Sequence, residues 1–342
     1  MQITTLGIDL GKSTFHVSGT DAGGRIVLQR KFSRRQLLQF TAHLEPCRIG
    51  MEACGGAHQI ARVFTAQGHD ARLMPAQYVR PYVKTHKNDH RDAEAIAEAV
   101  QRPQMRFVPI KSLEQQDIQI LHRHRQRLVR RRTALINQLR GIIYERGHTT
   151  AKGKVALRRL VAEVLGDTSS TELTPMLQQV VRDLYDEWLW LEDRIGGIDD
   201  QLTSLCRQSE VARRIATIPG IGPITATAVV AAVADGSAFG RGRDFAAWLG
   251  LVPLQRSTGG RSRLLGISKR GNSYLRYLFV HCARSVHRVL DREQSALGRW
   301  IGRLEQRAHC NVMLVALAAK LARIAWSVLR HRSEFELGLA AR

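Results

Sequence analysis

The chain has 342 residues, with 52 Lys and Arg against 30 Asp and Glu, a formal net charge of +22. At 44% apolar and 24% charged residues it has enough material for two or three domains with their own cores, which excludes a disordered chain or a scaffold that needs stapling. The positive surplus points to a polyanionic partner, nucleic acid above all. The five cysteines, odd in number and without a CxxC pair, speak for a reducing cytoplasm and against a zinc ribbon.

Residues 1–108 alternate between strand and helix patterns. ITTLGIDL, TFHVSGTD and GRIVLQRKF read as three strands, separated by turns at Gly11-Lys12-Ser13 and Ala22-Gly23-Gly24. A helix is predicted over 34–44, a buried strand at CRIGMEAC, a helix over 58–67, a strand at ARLMPA and an Ala- and Glu-rich helix over 89–100. This element order is that of an α/β ribonuclease-H-like fold. Residues 109–205 read as a helical middle. Leu177, Val181, Leu184, Trp188, Leu191, Ile195, Ile198, Leu202 and Leu205 alternate in steps of four and three, a coiled-coil seam. Leu121, Leu128, Leu135 and Ile142 repeat every seven residues on the helix before it. The two stripes can pair within a chain or between chains, and a seam this regular favours self-association. Residues 147–174 are mixed and polar, a turn region with a short helix. Residues 206–342 are mostly helical, with helices near 273–290 and 311–329 and a Gly-rich basic loop over 257–271. The longest apolar run, Val312 to Ala319, is interrupted by Lys320 and Arg323, so no membrane span is expected, and MQITTLGIDL lacks the basic start and cleavage site of a signal peptide.

Four acids carry the chemistry. Asp9, in LGIDLGKST, ends the first strand, and a glycine follows one residue on. Glu52, in RIGMEACGG, lies at the matching place on the fourth strand. Asp89 and Asp92, in KNDHRDAEA, are spaced to share one helix face. Each alone is an ordinary strand-end, loop or helix-start acid. Together they make an oxygen-rich site for Mg²⁺, two ions at about 4 Å, with Mn²⁺ as an alternative, suited to phosphodiester chemistry. Without a cation the carboxylates would repel one another.

Three further segments point to nucleic acid. PGIGP, with Gly220 and Gly222, is a tight turn between helices, either a plain helical hairpin or a helix-hairpin-helix whose backbone N–H groups face phosphate. GLVPLQRSTGGRSRLLGISKRGNSYLR carries Arg256, Arg261, Arg263, Lys269 and Arg270 with no acid. Ser257 and Thr258 precede its two glycines, among cations suited to hold phosphate. HRHRQRLVRRR holds Arg123, Arg125, Arg127, Arg130 and Arg131 on one helix, a track for a phosphate backbone.

GIDLGKSTFHV, MEACGGAH, KNDHRDAEAIAEA, IPGIGPITA and the last basic motif, in that order, closely resemble the DEDD transposases of the IS-one-ten insertion-sequence family, and the STGG form is similar to its IS-eleven-eleven subgroup. The resemblance covers nearly the whole chain. It implies three parts: a RuvC-like domain (1–108) bearing Asp9, Glu52, Asp89 and Asp92, a coiled-coil linker (109–205), and a C-terminal transposase domain (206–342) with an essential serine. It implies a site-specific recombinase in which the serine forms a covalent phosphoserine with DNA while the carboxylates and Mg²⁺ complete a site across protomers. It also implies a structured non-coding guide RNA and dimers assembling to a tetramer. Counted back from Ser268-Lys269, the serine falls on Ser257; counted forward from Pro253, it falls nearer Thr258. Two other readings stay open: a metal-dependent junction endonuclease without covalent intermediate, and a non-catalytic nucleic-acid-binding protein.

Overall fold

The computed structural model describes residues 2–84, 88–166 and 174–336, in two compact units, 1–112 and 113–342. The first unit holds one sheet of β1 (Thr5–Leu10), β2 (Thr14–Thr20), β3 (Ile26–Ser33), β4 (Arg48–Glu52) and β5 (Asp70–Met74), in the order β3-β2-β1-β4-β5. The first three strands are antiparallel neighbours, while β4 and β5 run parallel to β1. Helices α1 (Arg34–Ala42), α2 (Ala57–Ala66), the short α3 (Ala76–Val79) and α4 (Asp89–Ala99) complete it. The arrangement is consistent with the ribonuclease-H-like expectation.

Strand alternation sorts the two faces of this sheet. Leu6 and Ile8 of β1, Phe15 and Val17 of β2, and Ile49 and Met51 of β4 pack with Leu37 of α1 and Ile60 and Phe64 of α2. Gly7 and Asp9, with Gly50 and Glu52, point to the other face, where α4 lies. A Cβ on Gly7 would stand 2.2 Å from the Ala93 carbonyl oxygen, and one on Gly50 would stand 2.7 Å from Val100 Cβ. The paired glycines therefore let α4 sit against the backbone of the strands. Ala93 and Ala97 keep the helix side of that contact thin.

The second unit begins with α5 (Leu113–Tyr144), α6 (Lys154–Gly166) and α7 (Pro175–Gln208). The sequence periodicity admitted pairing within or between chains. The structure buries Leu128, Leu135 and Leu139 of α5 against Val181, Trp188, Leu191, Ile195 and Ile198 of α7 within one chain, with Leu157 and Val161 of α6 in the same core. Ion pairs Arg125–Asp199, Arg131–Glu187 and Arg132–Glu192 run in opposite directions along the two helices, so the pair is antiparallel. The seam is spent inside the chain and by itself gives no reason for self-association. The turn region expected over 147–174 contains α6; residues 167–173 lie outside the described residues.

A second core in the same unit joins α8 (Glu210–Ala216), α9 (Pro223–Val233), α10 (Gly242–Trp248), α11 (Ser273–Val289), α12 (Ala296–Glu305) and α13 (Cys310–His331). β6 (Pro253–Thr258) and β7 (Arg261–Ile267) form a hairpin between α10 and α11. The helix expected near 311–329 is present as α13, with Lys320 and Arg323 inside it. α13 runs 22 residues, long and apolar enough to cross a membrane by length and composition, but Leu314, Leu317, Leu321 and Ala325 are in the core. The Lys320 ammonium lies 4.9 Å over the ring of Trp300.

His122 ties the two cores together. It is 3% exposed, with Nδ1 at 3.0 Å from the Tyr274 hydroxyl and Nε2 at 3.1 Å from Thr227 Oγ1. Burial, then the Arg125 charge, lowers its pKa to about 4. The unfolded chain takes up this proton near pH 6.5 and the folded one only near 4, so stability is full above 6.5 and declines as pH falls toward 4. The expected loss is about 3 kcal/mol. Urea titrations of the parent and His122→Gln at pH 7 and 4.5 check it, the variant losing less.

Candidate active site and nucleic-acid interface

Asp9 and Glu52 stand side by side because β1 and β4 are parallel neighbours in register, Ile8 against Met51, and the acids follow. Ligands in open α/β sheets gather at this carboxyl end of the strands. Asp89 and Asp92 come from the first turn of α4, which Asn88 caps by accepting from the His90 N–H. The helix N-terminus favours both charges. Asp9, Asp89 and Asp92 each bring a carboxylate oxygen within 4.8 Å of the others. Glu52 faces the same group: its pKa is raised by burial and then by the charges of Asp9 and Asp92. The four expected acids are thus brought together, and their hard oxygens and mutual repulsion suit a divalent cation.

Four residues of this site were not singled out from the sequence. Gly7 and Gly50 bring α4 down onto the acids, and the signal was a glycine two residues before each carboxylate, GID and GME. His16 pairs with Asp9 across the β1–β2 ladder, and its Nδ1 lies 3.7 Å from Asp89 Oδ2. The ring of His90 meets His16 edge-on at 4.9 Å, and its buried Nδ1 has no hydrogen-bond partner among the described residues.

In the second unit, the basic loop expected over 257–271 is instead mainly the β6–β7 hairpin. Gly259 and Gly260 both have positive φ (54° and 76°), the two-residue turn whose twist suits paired strands. The register pairs Thr258 with Arg261, Ser257 with Ser262 and Arg256 with Arg263. Alternation therefore puts Arg256, Thr258, Arg261 and Arg263 on one face and Gln255, Ser257 and Ser262 on the other. Ser257 is exposed and accepts a 2.9 Å hydrogen bond from Gln255 Nε2; it does not share the arginine face. Arg256 directly opposes Arg263, an unfavourable like-charge pair that an anion would relieve. Lys269 and Arg270 are exposed at the hairpin's base, which is held by the Lys269 N–H donating to the Gly250 carbonyl.

The arginines of α5 divide into two sets. Arg123, Arg127 and Arg130 are exposed and carry no ion pair among the described residues, a stripe at steps of four and three. Arg125 and Arg131 are instead engaged with Asp199 and Glu187 of α7. Alanine at 123, 127 or 130 is expected to lower the salt-dependence slope of duplex binding by about 0.9 each. Alanine at 125 should leave the slope and lower the melting temperature; binding isotherms at several salt concentrations separate the two. Gly220 and Gly222 lie on the α8–α9 turn. A Cβ on Gly220 would meet Val286 at 2.4 Å, so packing on α11 accounts for that glycine, and Gly222 is the N-cap of α9 without a side-chain cap.

A mixed α/β unit with acids at the carboxyl ends of adjacent parallel strands, and a helix bringing two more, defines a nuclease-like class. A DEDD-type transposase family model matches residues 6–145, and that of the Transposase IS116/IS110/IS902 family matches residues 212–299. The chain is 45% identical over 99% of its length to a probable family 20 transposase of Pseudomonas aeruginosa, matched over its full length. It is 42% identical over 97% of its length to the transposase for insertion sequence element IS1328 of Yersinia enterocolitica (98% of that chain covered). With the transposase for IS1111A of Coxiella burnetii it shares 40% identity over 98% of its length and 92% of the relative's. The chain belongs to the IS110 family of insertion-sequence transposases, enzymes that cut and join DNA, and the DEDD type implies a divalent metal.

Proposed function

We propose that this transposase moves its own insertion sequence as a site-specific recombinase, with Ser257 as nucleophile and Asp9, Glu52, Asp89 and Asp92 holding Mg²⁺, as one or two ions. The observation that carries the reading is one chain bearing both a converged carboxylate cluster and an exposed serine on an acid-free basic hairpin. Ser257 Oγ attacks a phosphodiester phosphorus and gives up its proton. The bond from phosphorus to one deoxyribose oxygen breaks, and that oxygen leaves as a free hydroxyl. Attack of a hydroxyl from the exchanging strand on the phosphoserine then restores a phosphodiester and frees the serine, so no energy source is consumed. Gln255 orients Ser257, while Arg256, Arg261 and Arg263 grip backbone phosphates from the other hairpin face. The metal, when bound, would stabilise charge on the attacking and leaving oxygens.

The family resemblance extends the reading to a structured non-coding RNA whose base pairing chooses the DNA, to dimers assembling to a tetramer with a site completed across protomers, and to action in the cytoplasm. The charge of +22 supports it, because base pairing then supplies sequence choice while protein cations hold backbones. Lys269 and Arg270, exposed at the base of the hairpin, and the backbone of Gly222 at the N-cap of α9 are assigned to phosphate contact; Gly220 is left to its packing role.

The test is a trapping experiment. Full-length protein, Mg²⁺, the element's non-coding transcript and labelled DNA carrying its ends are run on a denaturing gel beside Ser257→Ala and Thr258→Ala. A labelled protein band lost only in Ser257→Ala is the expected result. Cleaved DNA without any adduct would instead leave a metal-dependent endonuclease.

A further inference from the structure

The exposed side of α11 carries a feature that neither the carboxylates nor the hairpin uses. Its buried side is Leu275, Leu278, Phe279, Cys282, Ala283 and Val286. On the opposite side lie Tyr277, His281, Arg284 and Arg288, all exposed, in steps of four, three and four, hence one stripe. Tyr277 is 52% exposed, and its ring meets that of His281 at 4.3 Å between centroids, tilted by 57°. Partial desolvation against the helix, then the neighbouring Arg284 charge, lowers the pKa of His281 and favours its uncharged ring. The helix has no acid along its length. Asp199 and Glu305, acids that reach this helix, are already paired, Asp199 with Arg125 and Glu305 with His287 and Arg292. Arg284 and Arg288 follow Tyr277 along the axis by about 10 and 16 Å, at a rise of about 1.5 Å per residue. Two adjoining aromatic rings open to solvent, continued by cations with no ion pair among the described residues, match what a single strand offers: a flat base face and then phosphates.

We infer that Tyr277 and His281 form a stacking platform for an unpaired nucleobase, with Arg284 and Arg288 holding the phosphates that follow it. The site would take single-stranded nucleic acid and discriminate against duplex, whose bases are already stacked. It goes beyond the recombinase reading, since it neither uses Ser257 nor needs a metal.

Binding of fluorescein-labelled (rU)12, (dT)12 and a 12-base-pair duplex to the full-length protein is measured in EDTA. Tyr277→Ala is expected to weaken single-strand binding about 5- to 150-fold, the effect of losing one base–aromatic stack, with duplex binding and the salt slope unchanged. Tyr277→Trp should keep the affinity and show indole fluorescence quenched by the oligonucleotide. Arg284→Ala should lower the single-strand salt slope by about 0.7. A loss confined to (rU)12 or to (dT)12 assigns the platform to RNA or to DNA. Single-strand affinity of Tyr277→Ala within twofold of the parent, equal losses on duplex and single strand, or a parent that does not bind single strands would each overturn the inference. Because no metal is present and no adduct is scored, these outcomes are independent of whether Ser257 proves to be the nucleophile.

Discussion

Asp9→Asn or Asp92→Asn is expected to slow DNA cleavage by at least about 10³-fold, since a metal's stabilisation of the reacting oxygens is worth several kcal/mol and each 1.36 kcal/mol is tenfold in rate. The loss should accompany loss of metal binding. In the parent, adding Mg²⁺ at about 100 times its dissociation constant should stabilise the fold by about 2.7 kcal/mol, and EDTA should remove that gain. Glu52 adds a sign to the test. Its pKa is raised by burial and by Asp9 and Asp92, so the metal-free folded protein holds a proton that the unfolded chain has already released. Stability without metal therefore falls as pH rises through the usual carboxylate range to the raised value. Glu52→Gln should raise the metal-free melting temperature at neutral pH and abolish the Mg²⁺-dependent increase. Thermal melts with Mg²⁺ and with EDTA, at pH 5 and 7.5, check both. An Mg²⁺ stabilisation that survives Asp9→Asn and Glu52→Gln would place the ion elsewhere.

The second large effect falls on a residue with no chemistry. Gly7→Ala puts a methyl group 2.2 Å from the Ala93 carbonyl oxygen and 2.3 Å from the Ala97 nitrogen, both backbone of α4. The clash cannot be relieved by a rotamer, so α4 must move or the strand must bend. Overpacking of this kind costs about 1–3 kcal/mol or more. Because α4 carries Asp89 and Asp92, the displacement also takes two carboxylates away from Asp9 and Glu52. Gly7→Ala is expected to lower the melting temperature and to reduce metal affinity and cleavage together, although residue 7 has no side chain to offer either ligand. Gly24→Ala, at a positive-φ turn with nothing within 4 Å, is the comparison: a modest loss of stability with metal binding intact. Cleavage by Gly7→Ala at the parental rate would show that α4 does not depend on this contact.

Much of the first unit was legible because its signals are local. Each expected strand and helix of residues 1–108 is present to within a few residues, since turn residues, strand alternation and helix composition act over short stretches. The four acids could be named from position alone, two at strand ends and two on one helix turn. What brings Asp9, Asp89 and Asp92 within 4.8 Å is the thin contact of α4 on Gly7 and Gly50, a pairing between segments some forty residues apart in sequence and, with the helix, nearly ninety. His16 entered the site for the same reason, through its ladder position opposite Asp9.

In the second unit the local signals were read with less success. Gly259-Gly260 between β-prone flanks is a hairpin signal, and the loop reading passed over it; once the strands pair, the period of two separates Ser257 from the arginines it adjoins in sequence. The basic run on α5 suggested a uniform phosphate track. Asp199 and Glu187, more than fifty residues away, take Arg125 and Arg131 out of it. α13 was expected as a helix over 311–329 and is one; Lys320 and Arg323, read as ending its apolar run, do not keep it from being long and apolar by composition, and it is burial in the core that accounts for that character. Sequence by itself determined the element order of the first unit, the four candidate carboxylates, the basic character and the family resemblance, because these rest on residue type and short-range spacing. Which cations remain free for a ligand, whether the heptad stripes pair within the chain, and which face the serine shares were decided only by tertiary packing, which matches charges and apolar surfaces between segments that sequence keeps far apart.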